Sequence, residues 1–288
     1  GTMQKTITGY GTTIDPSNYY LISTPLTTAT NPSSVKNMTN TDGYYDLYYF
    51  QQNPPVDSET GIGLEWRNYK QGDGFDLQLG SGYLYANRDG DGLEFAGTLR
   101  KSETNTTFDK GITYEGTQTF AGWNLVGNPF TSNASVSKAF YKMNASQNGI
   151  HALAVSADGI IAPMEGVFVQ ATQGESNENV TFTATTAAVS ALPTRSISLN
   201  VNRNNELLDR AIVNVNTEGS LCKLCLSDNV TKIYFTKNAK DYALVSSNAQ
   251  DEIPVSFKAS ENGNYTIAVE LKDVEMNYLH LIDNMTGA

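Results

Sequence analysis

Apolar side chains in this chain recur at every second position, and short turn clusters interrupt the pattern before any run grows long. Tyr265, Ile267, Val269 and Leu271 alternate with Thr266, Ala268 and Glu270, and Ile197, Leu199 and Val201 alternate with Ser198, Asn200 and Asn202. Successive side chains of a strand point to opposite faces, so this spacing describes strands with one buried face. Gln71-Gly72-Asp73-Gly74, Asp89-Gly90-Asp91-Gly92 and Glu261-Asn262-Gly263-Asn264 punctuate the strands with residues that favour tight turns. The expected fold class is all-β, built as sandwiches or barrels, with helix confined to a turn or two near Ser135 to Phe140.

A length of 288 residues suits two domains. With 39% hydrophobic and 17% charged residues the chain can bury a core. A net charge of -11, from 19 Lys and Arg against 30 Asp and Glu, would repel a phosphate backbone, which argues against nucleic acid as a partner. No apolar run approaches the roughly 18 residues needed to span a bilayer, so no membrane span is expected. Gly1-Thr2-Met3 reads as a cloning remnant, consistent with a leader removed from the natural chain. Cys222-Lys223-Leu224-Cys225 holds both cysteines. Residues three apart on a strand face opposite ways, so the pair is read as two separate thiols, with a turn disulfide or a metal site as alternatives.

An internal match organises the first two thirds. Tyr19-Tyr20-Leu21-Ile22-Ser23-Thr24-Pro25-Leu26 overlays Trp123-Asn124-Leu125-Val126-Gly127-Asn128-Pro129-Phe130. Leu47-Tyr48-Tyr49-Phe50-Gln51 then falls on Phe140-Tyr141-Lys142-Met143-Asn144, and Gly82-Tyr83-Leu84-Tyr85 on Gly166-Val167-Phe168-Val169. The expectation is an N-terminal β domain over residues 1–190 built from two related units, about 19–100 and 122–187. A boundary near Pro193 then leads to a C-terminal β-sandwich over 194–288, possessing a different pattern and read as truncated.

Several of these segments carry a family resemblance: Gly122 to Phe130, Gly82-Tyr83-Leu84-Tyr85-Ala86-Asn87, Pro163-Met164-Glu165-Gly166-Val167-Phe168-Val169 and Asn277 to Asn284. The chain resembles the C-terminal β-rich regions of large secreted and cell-surface proteins of Bacteroides-type bacteria. That resemblance implies an extracellular or cell-surface location and an architecture, not a chemistry.

The candidate ligand-binding residues are aromatic: Tyr45, Tyr49, Trp66 and Tyr69. Tyr45 and Tyr49 overlay Lys138 and Lys142, and lysines are taken to mark the solvent face, so the rings are expected on an exposed strand surface where they could stack on a glycan or anchor an extracellular protein. Packing into the core is the competing reading. No cofactor is expected. Calcium is the alternative, at Asn87, Asp89, Asp91 and Glu94, where oxygen ligands alternate before a glutamate, although a hairpin turn explains the same residues. Glycosidase carboxylates could be drawn from Glu65, Asp73, Asp76, Glu115 and Glu165, but no nucleophile elbow, phosphate loop or zinc motif accompanies them. The function expected is a non-catalytic surface or secreted binding module of adhesion type, contacting glycan or extracellular protein. The alternatives are an accessory domain of a secreted hydrolase and an enzyme of unrecognised type.

Overall fold

The computed structural model describes residues 1–13, 18–39, 41–56, 64–70, 74–103, 105–144, 151–155, 159–175, 177–185, 195–248, 252–282 and 284. The protein is nearly all β, as its alternation requires; among the described residues helix is confined to 3-10 turns such as Pro32–Ser34, capped by the Asn31 side chain. The expected helix near Ser135 to Phe140 is replaced by a strand, Asn133–Val136, whose Ala134 and Val136 are buried while Asn133 and Ser135 are half-buried. Period two won over the local helical spacing because this segment pairs with a neighbouring strand. No helix among the described residues is long and apolar enough to cross a membrane.

Two four-stranded sheets dominate the N-terminal part. The first is built from β2 (Tyr20–Ser23), β3 (Tyr44–Phe50), β4 (Trp66–Lys70) and β5 (Gly82–Tyr85), in the spatial order β2-β5-β3-β4. The second is built from β8 (Trp123–Gly127), β10 (Phe140–Asn144), β11 (His151–Val155) and β12 (Gly166–Gln170), in the order β8-β12-β10-β11. Each sheet therefore places its first strand beside its last, then its second, then its third. Register agrees as well as order: Ser23 pairs with Gly82 and Gly127 with Gly166, while Leu47 pairs with Tyr85 and Phe140 with Val169.

A smaller layer lies behind each sheet. Behind the first, β1 (Thr2–Lys5) pairs with β6 (Leu93–Ala96), and Lys36 bridges to Glu94 on the other side of β6. Behind the second, β13 (Glu178–Thr185) lies between β7 (Thr107–Ile112) and β9 (Asn133–Val136). Ile22, Leu47, Tyr85, Leu93 and Phe95 fill the first core, and Phe130, Phe140, Val167, Val180 and Phe182 the second. The strands β1 and β7 precede residues 19 and 122, so each layered unit starts earlier than the sequence overlay indicated.

The two large sheets meet through reciprocal contacts. Ser23 N–H donates to Met164 O at 3.1 Å and Gly127 N–H to Gly80 O at 3.0 Å; Ile22 bridges to Glu165 and Val126 to Ser81. Under the sequence overlay each contact is the other's counterpart, so the junction has an approximate two-fold character. Two glycines make the approach possible: a Cβ on Gly82 would lie 2.6 Å from Val126 O, and one on Gly166 would lie 3.0 Å from Ile22 O.

The remaining strands are β14 (Ser196–Arg203), β15 (Glu206–Val215), β16 (Leu221–Cys222), β17 (Lys232–Lys237), β18 (Lys240–Ser247), β19 (Val255–Lys258) and β20 (Thr266–Lys272). They form one sheet, β19-β17-β18-β15-β14-β20, with β16 paired to β18 and with β15 and β18 parallel. The expected C-terminal sandwich is thus a single hydrogen-bonded sheet among the described residues. Its two faces find different partners. Ile212, Leu224, Ala243 and Leu244 pack with Trp123, Tyr141 and Phe168 of the second sheet. On the opposite face Val201 of β14 and Val213 of β15 meet Ile233 and Phe235 of β17 in one cluster, although β18 stands between β15 and β17 in the order, so the sheet curls on itself. The expected boundary at Pro193 lies outside the described residues.

Candidate functional site

The four aromatic residues expected at a binding face do not share one. Tyr45 is 5% exposed and packs edge-on against Tyr69 at 5.0 Å between ring centres, and Tyr69 meets Phe75 at 5.4 Å. Tyr49 is 38% exposed, with its ring edge-on to Phe75 at 5.1 Å. Trp66 lies on another part of the sheet, against Phe50 at 5.1 Å and Phe168 at 6.0 Å. The expectation that Tyr45 faces solvent is therefore overturned, and the premise behind it fails on identifiable chemistry. Lys142 lies on the same side of β10 as the buried Phe140, alternating with Tyr141, and Lys138 precedes the strand; both are half-buried and carry their ammonium groups to Glu165 and Glu178 respectively. Lysine stems cover apolar surface while their heads reach a partner, so a lysine does not by itself mark a solvent face.

Two of the residues considered for calcium, Asn87 and Glu94, have partners within the protein. Asn87 Oδ1 accepts from Gly90 N–H at 2.9 Å and its amide donates to Asp91 O at 3.1 Å, closing the turn internally. Glu94 points to Gln4 and Lys36. Among the described residues no group of three or more His, Cys, Asp or Glu side chains is placed to hold a metal ion. Three of the carboxylates considered for hydrolysis are separately engaged: Glu165 with Lys142 and Ala162 N–H, Glu115 with the Thr113 hydroxyl, and Asp76 with the Asn31 amide. Asp73 lies outside the described residues.

The structure instead gathers Tyr10, Tyr19, Asp46, Tyr48 and Asn68 on the first sheet's face opposite its own core. Tyr48 and Phe50 alternate with Leu47 along β3, which directs them to this face. Tyr19 and Tyr48 stand edge to face with centroids 6.2 Å apart. Tyr10 donates its hydroxyl to Asp46 Oδ2 at 2.6 Å. That bond, with lesser help from burial and from the carboxylate charge, pushes the Tyr10 phenol up to about 12. Burial first, and then Tyr48, raises the Tyr19 phenol; burial also raises Tyr48, opposed by hydrogen bonds with Tyr19 and Asn68. Tyr10, Tyr19, Asp46 and Tyr48 are half-buried residues. Sequence reasoning passed over Tyr19 and Asp46, although the overlay that set Tyr19 against Trp123 and Asp46 against Ala139 held the signal.

The matching place on the second sheet is covered. Trp123 and Tyr141 form the corresponding edge-to-face pair at 5.6 Å, and both are buried. Lying over them is the segment Leu221 to Leu224. The Tyr141 hydroxyl donates to Cys222 O at 3.2 Å and accepts from Leu224 N–H at 3.1 Å, and Gln170 Oε1 accepts from Cys222 N–H at 3.1 Å. Burial, and then the charge of Asp209, raises the Tyr141 phenol. Within the segment Lys223 Nζ reaches Asp209 Oδ2 at 2.5 Å, with the two side chains 3% and 0% exposed, and Asp209 Oδ2 also accepts from Ile233 N–H at 2.7 Å. Cys222 and Cys225 are separate thiols, the first of the three alternatives read from their spacing. Set against family models, curated proteins and solved structures, the chain gives no match.

Proposed function

We propose that this chain is a non-catalytic binding module of a secreted or cell-surface protein, in which two copies of one layered β unit and a third β-rich domain present a contact face on the first copy. The observation that carries the reading is the difference between matching faces. On the second sheet the aromatic pair is consumed by internal docking, whereas on the first Tyr19 and Tyr48 stay half-exposed beside Tyr10, Asp46 and Asn68. Aromatic rings held on rigid strands contribute contact area at low entropic cost, and hydroxyl, amide and carboxylate groups around them give direction. Such a set suits recognition of a glycan or of an extracellular protein. Tyr44, 52% exposed with Lys70 Nζ 6.0 Å from its ring centre, adds a second exposed ring at the start of β3.

The test is a screen of glycan arrays and immobilised matrix proteins, comparing the natural chain with a Tyr19→Ala, Tyr48→Ala double variant whose folding is checked by thermal melting. Binding that disappears in the variant supports the reading. Binding that persists undiminished moves the contact elsewhere, and no binding on any surface removes the proposal.

A further inference from the structure

The second sheet shows what its aromatic pair is able to hold. The Tyr141 hydroxyl takes both main-chain groups of an extended segment, donating to the carbonyl of Cys222 and accepting from the amide of Leu224 two residues on. Leu221 and Leu224 then bury beside Trp123 and Phe168. A hydroxyl can donate and accept at once, so this contact reads main chain and leaves the identity of the side chains to neighbouring groups.

Tyr48 occupies the position of Tyr141 in the sheet register: it pairs with Leu84 as Tyr141 pairs with Phe168. Tyr19 stands to Tyr48 as Trp123 stands to Tyr141, with the same edge-to-face arrangement. The two places differ in three respects. The first is half-exposed and the second is buried. Gln170, which holds the Cys222 amide, has Ala86 as its counterpart. Ala139 has Asp46 as its counterpart, so the first sheet itself supplies a carboxylate, whereas at the second place the carboxylate is Asp209 of the covering domain.

We infer that the face formed by Tyr19, Asp46 and Tyr48 is a docking site for an extended segment of a partner polypeptide bearing a lysine or arginine, held as the second sheet holds residues 221–224. The inference rests on the binding-module reading and names its partner class. A basic side chain suits Asp46, whose carboxylate carries its charge beside the neutral Tyr10 hydroxyl, and it is favoured further by a chain whose net charge is -11. In the second sheet the corresponding lysine, Lys223, turns into its own domain to meet Asp209; on the first sheet the acid is supplied by the face itself.

The probe is a synthetic peptide with the sequence of residues 219–226 carrying serine in place of Cys222 and Cys225, titrated into the full chain while the Tyr19, Asp46 and Tyr48 signals are followed by NMR. The expected result is a saturable shift of these signals. Tyr48→Phe, which keeps the ring, should weaken it by about tenfold, as removal of one hydrogen-bonding hydroxyl predicts. A peptide with glutamate in place of lysine should bind less well to the natural chain, and Asp46→Asn should erase that preference. Absence of a saturable shift overturns the inference, as does binding indifferent to both Tyr48→Phe and Asp46→Asn. If the peptide fails while a glycan binds in a manner dependent on Tyr19 and Tyr48, the peptide inference falls and the binding-module reading stands. If both fail, both fall.

Discussion

The first and second sheets share strand order and register, yet one turns its outer aromatic pair into a domain joint and the other leaves it partly open. The difference does not lie in the sheets' own hydrogen bonding. It lies in what each face meets: the second is capped by a segment whose backbone satisfies Tyr141, while the first has an acid, Asp46, where the second has Ala139. A carboxylate resists burial against an apolar segment unless it is paired, so Asp46 works against sealing the first face in the way the second is sealed.

The comparison breaks most readily at Trp123. Trp123→Ala should destabilise by about 4 kcal/mol, because a buried large aromatic leaves a cavity as well as losing its transfer energy, whereas Tyr19→Ala, at the half-exposed counterpart, should cost about 1 to 2 kcal/mol. Urea unfolding of both variants measures the ratio; equal losses would mean that the two faces are equally buried in solution. Next in size, Lys223→Ala strands Asp209 in the interior and should cost about 3 kcal/mol, while a Lys223→Met, Asp209→Leu pair should recover most of that loss, since a buried ion pair adds little beyond its apolar replacement. A double variant no more stable than Lys223→Ala alone would show that the pair does more than satisfy itself.

A smaller effect sharpens the electrostatic contrast. Because the Tyr10 phenol is raised to about 12, above its ordinary value near 10, its contribution to stability is complete below about pH 10 and is lost as pH climbs toward 12. Ultraviolet titration of the natural chain minus Asp46→Asn should show one phenol moving to lower pH in the variant; coincident curves would remove Asp46 as the cause. Smallest of all, Tyr44→Ala should change the unfolding free energy by no more than about 0.5 kcal/mol, as is usual for an exposed surface position.

Much of the fold was legible from the chain. The alternation of Ile197, Leu199 and Val201 placed all three on one buried face, and the overlay of Ser23 on Gly127 and of Gly82 on Gly166 matched residues that are paired in register. The turns were less explicit. Asn204 and Asn205, both with positive φ, close the β14–β15 hairpin, and Asn238 and Ala239 do the same between β17 and β18. Tyr45 was placed on the wrong side because the side of β3 carrying Tyr45 and Leu47 packs into the first sheet's own core, while Tyr48 and Phe50 lie on the opposite side, Phe50 against Phe168 of the second sheet.

Periodicity, turn residues and the internal match belong to the sequence, because strand pleating ties every second side chain to one face whatever else the chain does. Which of those faces would be buried was decided only by tertiary structure. Tyr45 and Tyr48 are equally good strand residues on opposite faces, and nothing local distinguishes the face that meets its own core from the one left beside Asp46. That choice was made by surfaces remote in sequence: Gly82 and Gly166 bringing two sheets together, and Leu221 to Leu224 arriving from a third to cover Tyr141 while Tyr48 stays half-buried.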